Sequence, residues 1–123
     1  MAVERILIVE ANLSHMKLEK LVLMEKGYDI RTACNADETM KELEEFKPQL
    51  VLMGMQLNCV DGFELVRRIK TNSRFDHIVI VAVTAHGMKG DKEMILDAGF
   101  DGYILKPIDI KIFPQTIANY LRK

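Results

Sequence analysis

Leu50-Val51-Leu52-Met53, closed by Gly54, is an unbroken apolar run. A strand with one wet face alternates apolar and polar residues. A run that is apolar at every position suits a strand covered on both faces, the situation at the centre of a parallel sheet. Working outward, Ile6-Leu7-Ile8-Val9 and Ile78-Val79-Ile80-Val81-Ala82-Val83 repeat this signature, and Gly102-Tyr103-Ile104-Leu105 is a shorter version. Tyr28-Asp29-Ile30-Arg31-Thr32 alternates instead, which places it at a sheet edge.

Helical periods fill the intervals. Ala36, Met40, Leu43 and Phe46 share one face, and Asn35 with Glu38 forms a capping box. Asp61 with Glu64 offers the same device ahead of Leu65, Val66 and Ile69. A first helix over about 13–26 is expected to turn Leu18, Leu21 and Val22 inward and to stop at Gly27. Met88 to Ala98 is a further helix stopped by Gly99. The last helix carries Ile110, Phe113, Ile117 and Leu121 on one face. Pro114 lacks a backbone donor, so this helix starts late, near Pro114, or has an irregular first turn.

Five β–α repeats in 123 residues predict an α/β fold: a single domain over 1–123 with a doubly wound, five-stranded parallel sheet. Right-handed crossovers favour the flavodoxin-like order 2-1-3-4-5. Such sheets work at the carboxyl ends of their strands, at the switch point between strands 1 and 3. The residues there are Glu10-Ala11-Asn12, Gly54-Met55-Gln56, Thr84-Ala85-His86 and Lys106-Pro107.

Composition narrows the function. Seventeen basic against eighteen acidic residues give a net charge of −1, with no electrostatic footprint for nucleic acid or an anionic membrane. No apolar stretch approaches the ~20 residues that span a bilayer. The start Met-Ala-Val-Glu-Arg lacks the segments of a signal peptide, so a cytoplasmic location is expected. Cys34 and Cys59 fit no metal or redox spacing and are expected to be reduced thiols. His15, His77 and His86 match no ligand motif and are taken as surface or loop residues, with His86 bordering the strand-end site. Most of the eight methionines are expected to be core fillers, with Met53 and Met55 occupying space beside Gly54, and a Gly-rich nucleotide loop is missing.

At the strand ends the chain resembles the receiver domain of two-component response regulators, closest to short stand-alone, CheY-like receivers. The resemblance rests on Ile-Leu-Ile-Val-Glu-Ala-Asn (6–12), Leu-Met-Gly-Met-Gln-Leu (52–57) with Asp61-Gly62, Val-Ala-Val-Thr-Ala (81–85) and Gly-Tyr-Ile-Leu-Lys-Pro (102–107). It implies a phosphorelay module of a bacterial cell rather than an enzyme in its own right. In that family an acid pair and an acceptor aspartate hold Mg²⁺, and the acceptor becomes an acyl phosphate. A lysine and the metal offset the phosphoryl charge. A hydroxyl and an aromatic on strand 5 then change position.

Carried across, Glu10 matches the first acid, Thr84 the hydroxyl, Tyr103 the switch aromatic and Lys106 the lysine. Pro107 matches a proline that the resemblance implies is preceded by a cis bond. Gln56 and Ala85 belong to the remnant site. Ala11, however, stands where the metal-touching second acid is expected, Gly54 where the acceptor is expected, and Asn58 where the loop usually has proline.

The ordinary site sets three carboxylates against one lysine. Here Glu10 and Lys106 sum to zero, and one acid beside a cation should not retain Mg²⁺, so no cofactor is expected. A metal-free Glu10–Lys106 contact is expected, since an unpaired buried charge is costly. Gly54 is expected to leave a polar void the size of an acid, able to hold a water.

The resulting expectation is a pseudo-receiver that acts by binding protein. A histidine kinase or another signalling regulator would use the face made by helix 4, strand 5 and helix 5. Two alternatives stand beside it: a surrogate acceptor among Asp61, Glu64, Thr84 and Cys59, or a small-molecule sensor using the vacated pocket. A flavin site is suggested by fold analogy alone.

Overall fold

The computed structural model describes residues 3–55, 62–85 and 89–122, and of 89–91 the backbone only. Strands and helices alternate: β1 Arg5–Val9, α1 Leu13–Glu25, β2 Asp29–Ala33, α2 Ala36–Glu45, β3 Leu50–Gly54, α3 Gly62–Lys70, β4 Val79–Thr84, α4 Lys89–Ala98, β5 Gly102–Leu105 and α5 Phe113–Leu121. The sheet is parallel throughout, in the order β2-β1-β3-β4-β5. The doubly wound topology expected from the sequence is the one adopted.

Pleating sorts the apolar runs into two cores. Ile6, Ile8, Leu50, Leu52, Val81 and Val83 point to the face covered by α1 and α5, where Met16, Leu23, Phe113 and Ile117 meet them. Leu7, Val9, Val51, Met53, Ile80 and Ala82 point to the opposite face, under α2, α3 and α4, with Leu43, Leu65, Val66, Ile69 and Ile95. Every residue of β3 is buried, which is why its run shows no alternation. β2, at one edge, alternates exposed and half-buried positions before ending at buried Ala33.

Local signals set the helix ends. Asn35 Oδ1 accepts from Glu38 N–H at 2.9 Å, and Glu38 Oε1 accepts from Cys34 N–H at 2.8 Å, so the capping box closes one residue early. Asn12 caps α1 by accepting from His15 N–H at 3.1 Å, a cap the sequence analysis did not assign. Gly27 (φ 92°) and Gly99 (φ 118°) take the left-handed backbone that ends α1 and α4. The Asp61 cap lies outside the described residues.

Two helical expectations are corrected. α1 turns Met16, Glu19 and Leu23 inward, while Leu18 and Leu21 are 41% and 68% exposed; only Val22 of the expected trio packs against the core. Leu13, Met16, Leu18, Leu21, Val22, Leu23 and Met24 wrap most of the helix, so periodicity does not single out a face. Packing against β1 and β2 makes the choice. α5 starts at Phe113 with Pro114 in its first turn, as expected, but Ile110 precedes the helix and is exposed.

Candidate functional site

The carboxyl ends of β1, β3, β4 and β5 converge on an open cleft of about 430 Å³. It is lined by Glu10, Ala11, Asn12, His15, Met55, Val83, Thr84, Ala85 and Lys106. Parallel pairing brings these loops together: Glu10 N–H donates to Ala33 O at 3.0 Å and Lys106 N–H donates to Thr84 O at 2.8 Å, extending the ladder beyond the strands. The cleft thus assembles Glu10, Ala11, Thr84, Ala85 and Lys106 around the end of β3. Gln56, Asn58, Cys59 and His86 lie outside the described residues.

Glu10 is 4% exposed. Lys106 Nζ donates to its Oε1 at 2.8 Å, which is the contact expected from charge balance. The other oxygen is the larger finding. A Cβ built on Gly54 collides with Glu10 Oε2 and lies 3.1 Å from its Cδ. The expected void at Gly54 is therefore corrected: the Glu10 carboxylate fills that space. Glutamate is long enough to cross from β1 to β3, and pairing with Lys106 holds it there. Close packing continues on the far side, where a Cβ on Gly62 would sit 2.9 Å from Gly54 O; glycine is required for that approach.

His15 is exposed, as expected of a surface residue, and also reaches this pair from the first turn of α1. Its Nδ1 lies 2.7 Å from Lys106 Nζ and 3.5 Å from Glu10 Oε1. In the tautomer protonated at Nε2, Nδ1 accepts a second hydrogen bond from the ammonium. Thr84 is buried. Tyr103 is half-buried against the core under α4, with Lys92 Nζ 5.4 Å from its ring centroid. The Lys106–Pro107 bond is cis.

Sequence reasoning missed Glu19 altogether. The residue is 2% exposed, and its Oε2 has no hydrogen-bond partner among the described residues. Burial pushes the carboxyl up to about 8; the nearby Glu10 charge adds to the rise and Lys106 partly offsets it. A glutamate in an amphipathic helix is ordinarily placed on the wet face. The one available hint was its position three residues after Met16 and four before Leu23.

The donors present do not suit the Mg²⁺ ion of a conventional receiver. Among the described residues one carboxylate faces the cleft; one of its oxygens is bonded to an ammonium and the other is packed against Gly54. Among the described residues no group of three His, Cys, Asp or Glu side chains is arranged to hold a metal. Nor, among them, is any helix long and apolar enough to cross a membrane.

A five-stranded doubly wound sheet with a Glu–Lys pair and a buried threonine at its switch point defines a CheY-like signalling fold. The chain belongs to the response regulator receiver domain family, whose pattern matches residues 6–118. It is 39% identical over 116 residues to the polar-differentiation response regulator DivK of Brucella anthropi, covering 94% of each chain. Among solved structures, it resembles the CheY-like receiver domain protein of Methanospirillum hungatei, with TM-score 0.87, 26% identity and 98% and 95% of the two chains covered. Chemotaxis response regulator CheY4 of Vibrio cholerae has the same fold at TM-score 0.90, with 18% identity and 97% and 99% coverage.

Proposed function

We propose that this receiver has given up aspartyl phosphorylation and signals as a cytoplasmic protein-binding module rather than as an enzyme. The observation that carries the reading is the Glu10 carboxylate seated in the space of a Gly54 Cβ and tied to Lys106. At the acceptor position there is no nucleophile, and the room for one is taken by the group that would otherwise face a metal. Phosphoryl transfer depends on in-line positioning and on charge stabilisation by metal and lysine. Lys106 is engaged by Glu10 and His15, and the donors left do not suit Mg²⁺.

The binding surface we assign is the face of α4, β5 and α5. Leu96 on α4, on the same side of the helix as Lys92, Leu105 at the end of β5 and Ile112 ahead of α5 are large apolar side chains left exposed. Half-buried Tyr103 lines a groove with Leu105 and Ile112 and lies under Lys92 of α4. A histidine kinase or another signalling regulator is the partner class this surface would serve.

Intact-mass analysis after incubation with acetyl phosphate and Mg²⁺ tests the first half. No acid-labile gain of one phosphoryl group is expected, and a stoichiometric adduct, whose site peptide mapping would assign, would overturn the reading in favour of a surrogate acceptor. Co-purification from the native cell tests the second half: Tyr103→Ala and Leu96→Asp should lose the same partner, and retention by both would reject this face. The open cleft favours a second reading, a small-molecule sensor, for which a ligand-dependent melting shift abolished by Lys106→Ala is the signature.

A further inference from the structure

α1 is held on the sheet by few side chains. Met16 and Leu23 are its buried apolar residues, Val22 is partly buried, and Leu18 and Leu21 face water. Glu19 sits between the two anchors, one turn from each, and is as buried as they are. A carboxyl in that place can be neutral at small cost or ionised at large cost.

The groups around it decide how that cost is felt. From β1 comes Glu10 and from the end of β5 comes Lys106, the two charges that act on Glu19. On its own helix His15 lies one turn earlier, in contact with the same lysine. α5 meets this core with apolar Phe113 and Ile117, and the β2 side brings Ile30 and the half-buried thiol of Cys34. Among the described residues Lys106 is the lysine acting on Glu19, and it is already engaged by Glu10 Oε1. An ionised Glu19 must compete for it or leave the core.

We propose that Glu19 is a proton-operated catch: protonated, it lets α1 lie on the sheet beside the Glu10–Lys106 pair, and ionised, it releases the helix. The raised carboxyl sets the direction. In the opened helix Glu19 titrates near its ordinary value of 4.5, and in the closed one near 8. The closed state therefore binds the extra proton across that window, and opening becomes easier as pH rises through it. With one proton released, the opening equilibrium should grow by up to about tenfold per pH unit and level off above the upper value.

Native-state hydrogen exchange of the α1 amides, corrected for intrinsic rates, tests this at pH 5.5, 6.5 and 7.5. In the wild-type protein the α1 opening constant should climb steeply with pH and exceed that of β3, whereas Glu19→Gln should be nearly flat. A carbon-detected NMR titration of the wild-type Glu19 carboxyl runs alongside and does not depend on the variant folding. The catch is refuted by a carboxyl that titrates near 4.5, by α1 and β3 opening together with one pH slope, or by a Gln variant that keeps the wild-type slope.

Discussion

Gly54→Ala adds one methyl group to an ordinary extended strand position, so the backbone itself should accept it; alanine loses less chain entropy than glycine there. The side chain is the difficulty. The new Cβ collides with Glu10 Oε2 and comes within 3.1 Å of Cδ, so Glu10 must withdraw. Overpacking of this kind costs about 1–3 kcal/mol. Withdrawal also strains or breaks the Lys106 contact. Removing one partner of a buried pair costs roughly 3–5 kcal/mol, reduced here because the Lys106 side chain is 20% exposed and can turn to water.

A net loss of about 2–3 kcal/mol is expected for Gly54→Ala. That is a fall in Tm on the order of 10 °C for a domain of this size. Urea denaturation followed by circular dichroism gives the number, and the midpoint should fall without a change in slope. The decisive measurement is the cycle with Glu10→Ala. Once the carboxylate is gone, Gly54→Ala should cost almost nothing, leaving a coupling of about 2 kcal/mol. Additivity within about 0.5 kcal/mol would show that Glu10 does not occupy the Gly54 space and would remove the main support for the proposed loss of phosphorylation.

Two further outcomes follow from the same cluster. Lys106→Met leaves Glu10 buried without its cation and should destabilise the protein by about 3 kcal/mol in urea melts, with much of the loss recovered in Glu10→Gln/Lys106→Met. Glu19→Gln should stabilise the protein at pH 7.5, by at most about 4 kcal/mol since one pH unit corresponds to about 1.4 kcal/mol. The advantage should shrink as pH falls and vanish below about 4.5, where folded and unfolded chains both hold the proton; an advantage unchanged between pH 4.5 and 7.5 would reject the ionisation argument.

Fold and site were not equally legible in the sequence. The run 50–53 announced a strand covered on both faces because burial on two sides leaves no alternation; for the same reason it carried no register, which the fold sets against β1 and β4. Asn35 and Glu38 announced a helix start because their side chains reach only a few residues along the chain. The same local logic placed Glu10, Thr84 and Lys106 at strand ends, and family resemblance supplied their likeness to a phosphorylation site. It failed on α1, where leucines on several faces made the inward one a matter of which neighbours were there.

Sequence alone therefore determined the order of elements, the doubly wound sheet and the presence of glycine where an acceptor was expected. Those are consequences of periodicity and of residue identity, both of which are local. Only the tertiary structure decided what Gly54 means: a carboxylate from β1 crosses into its space, a lysine from the end of β5 holds it, and a histidine from α1 contacts the pair, whose charges also reach a buried glutamate on that helix. Lys106 and Glu10 are 96 residues apart in the chain, and their contact exists because parallel strands bring their carboxyl ends to one edge. Side-chain reach and burial at that edge turn a missing residue into an occupied site.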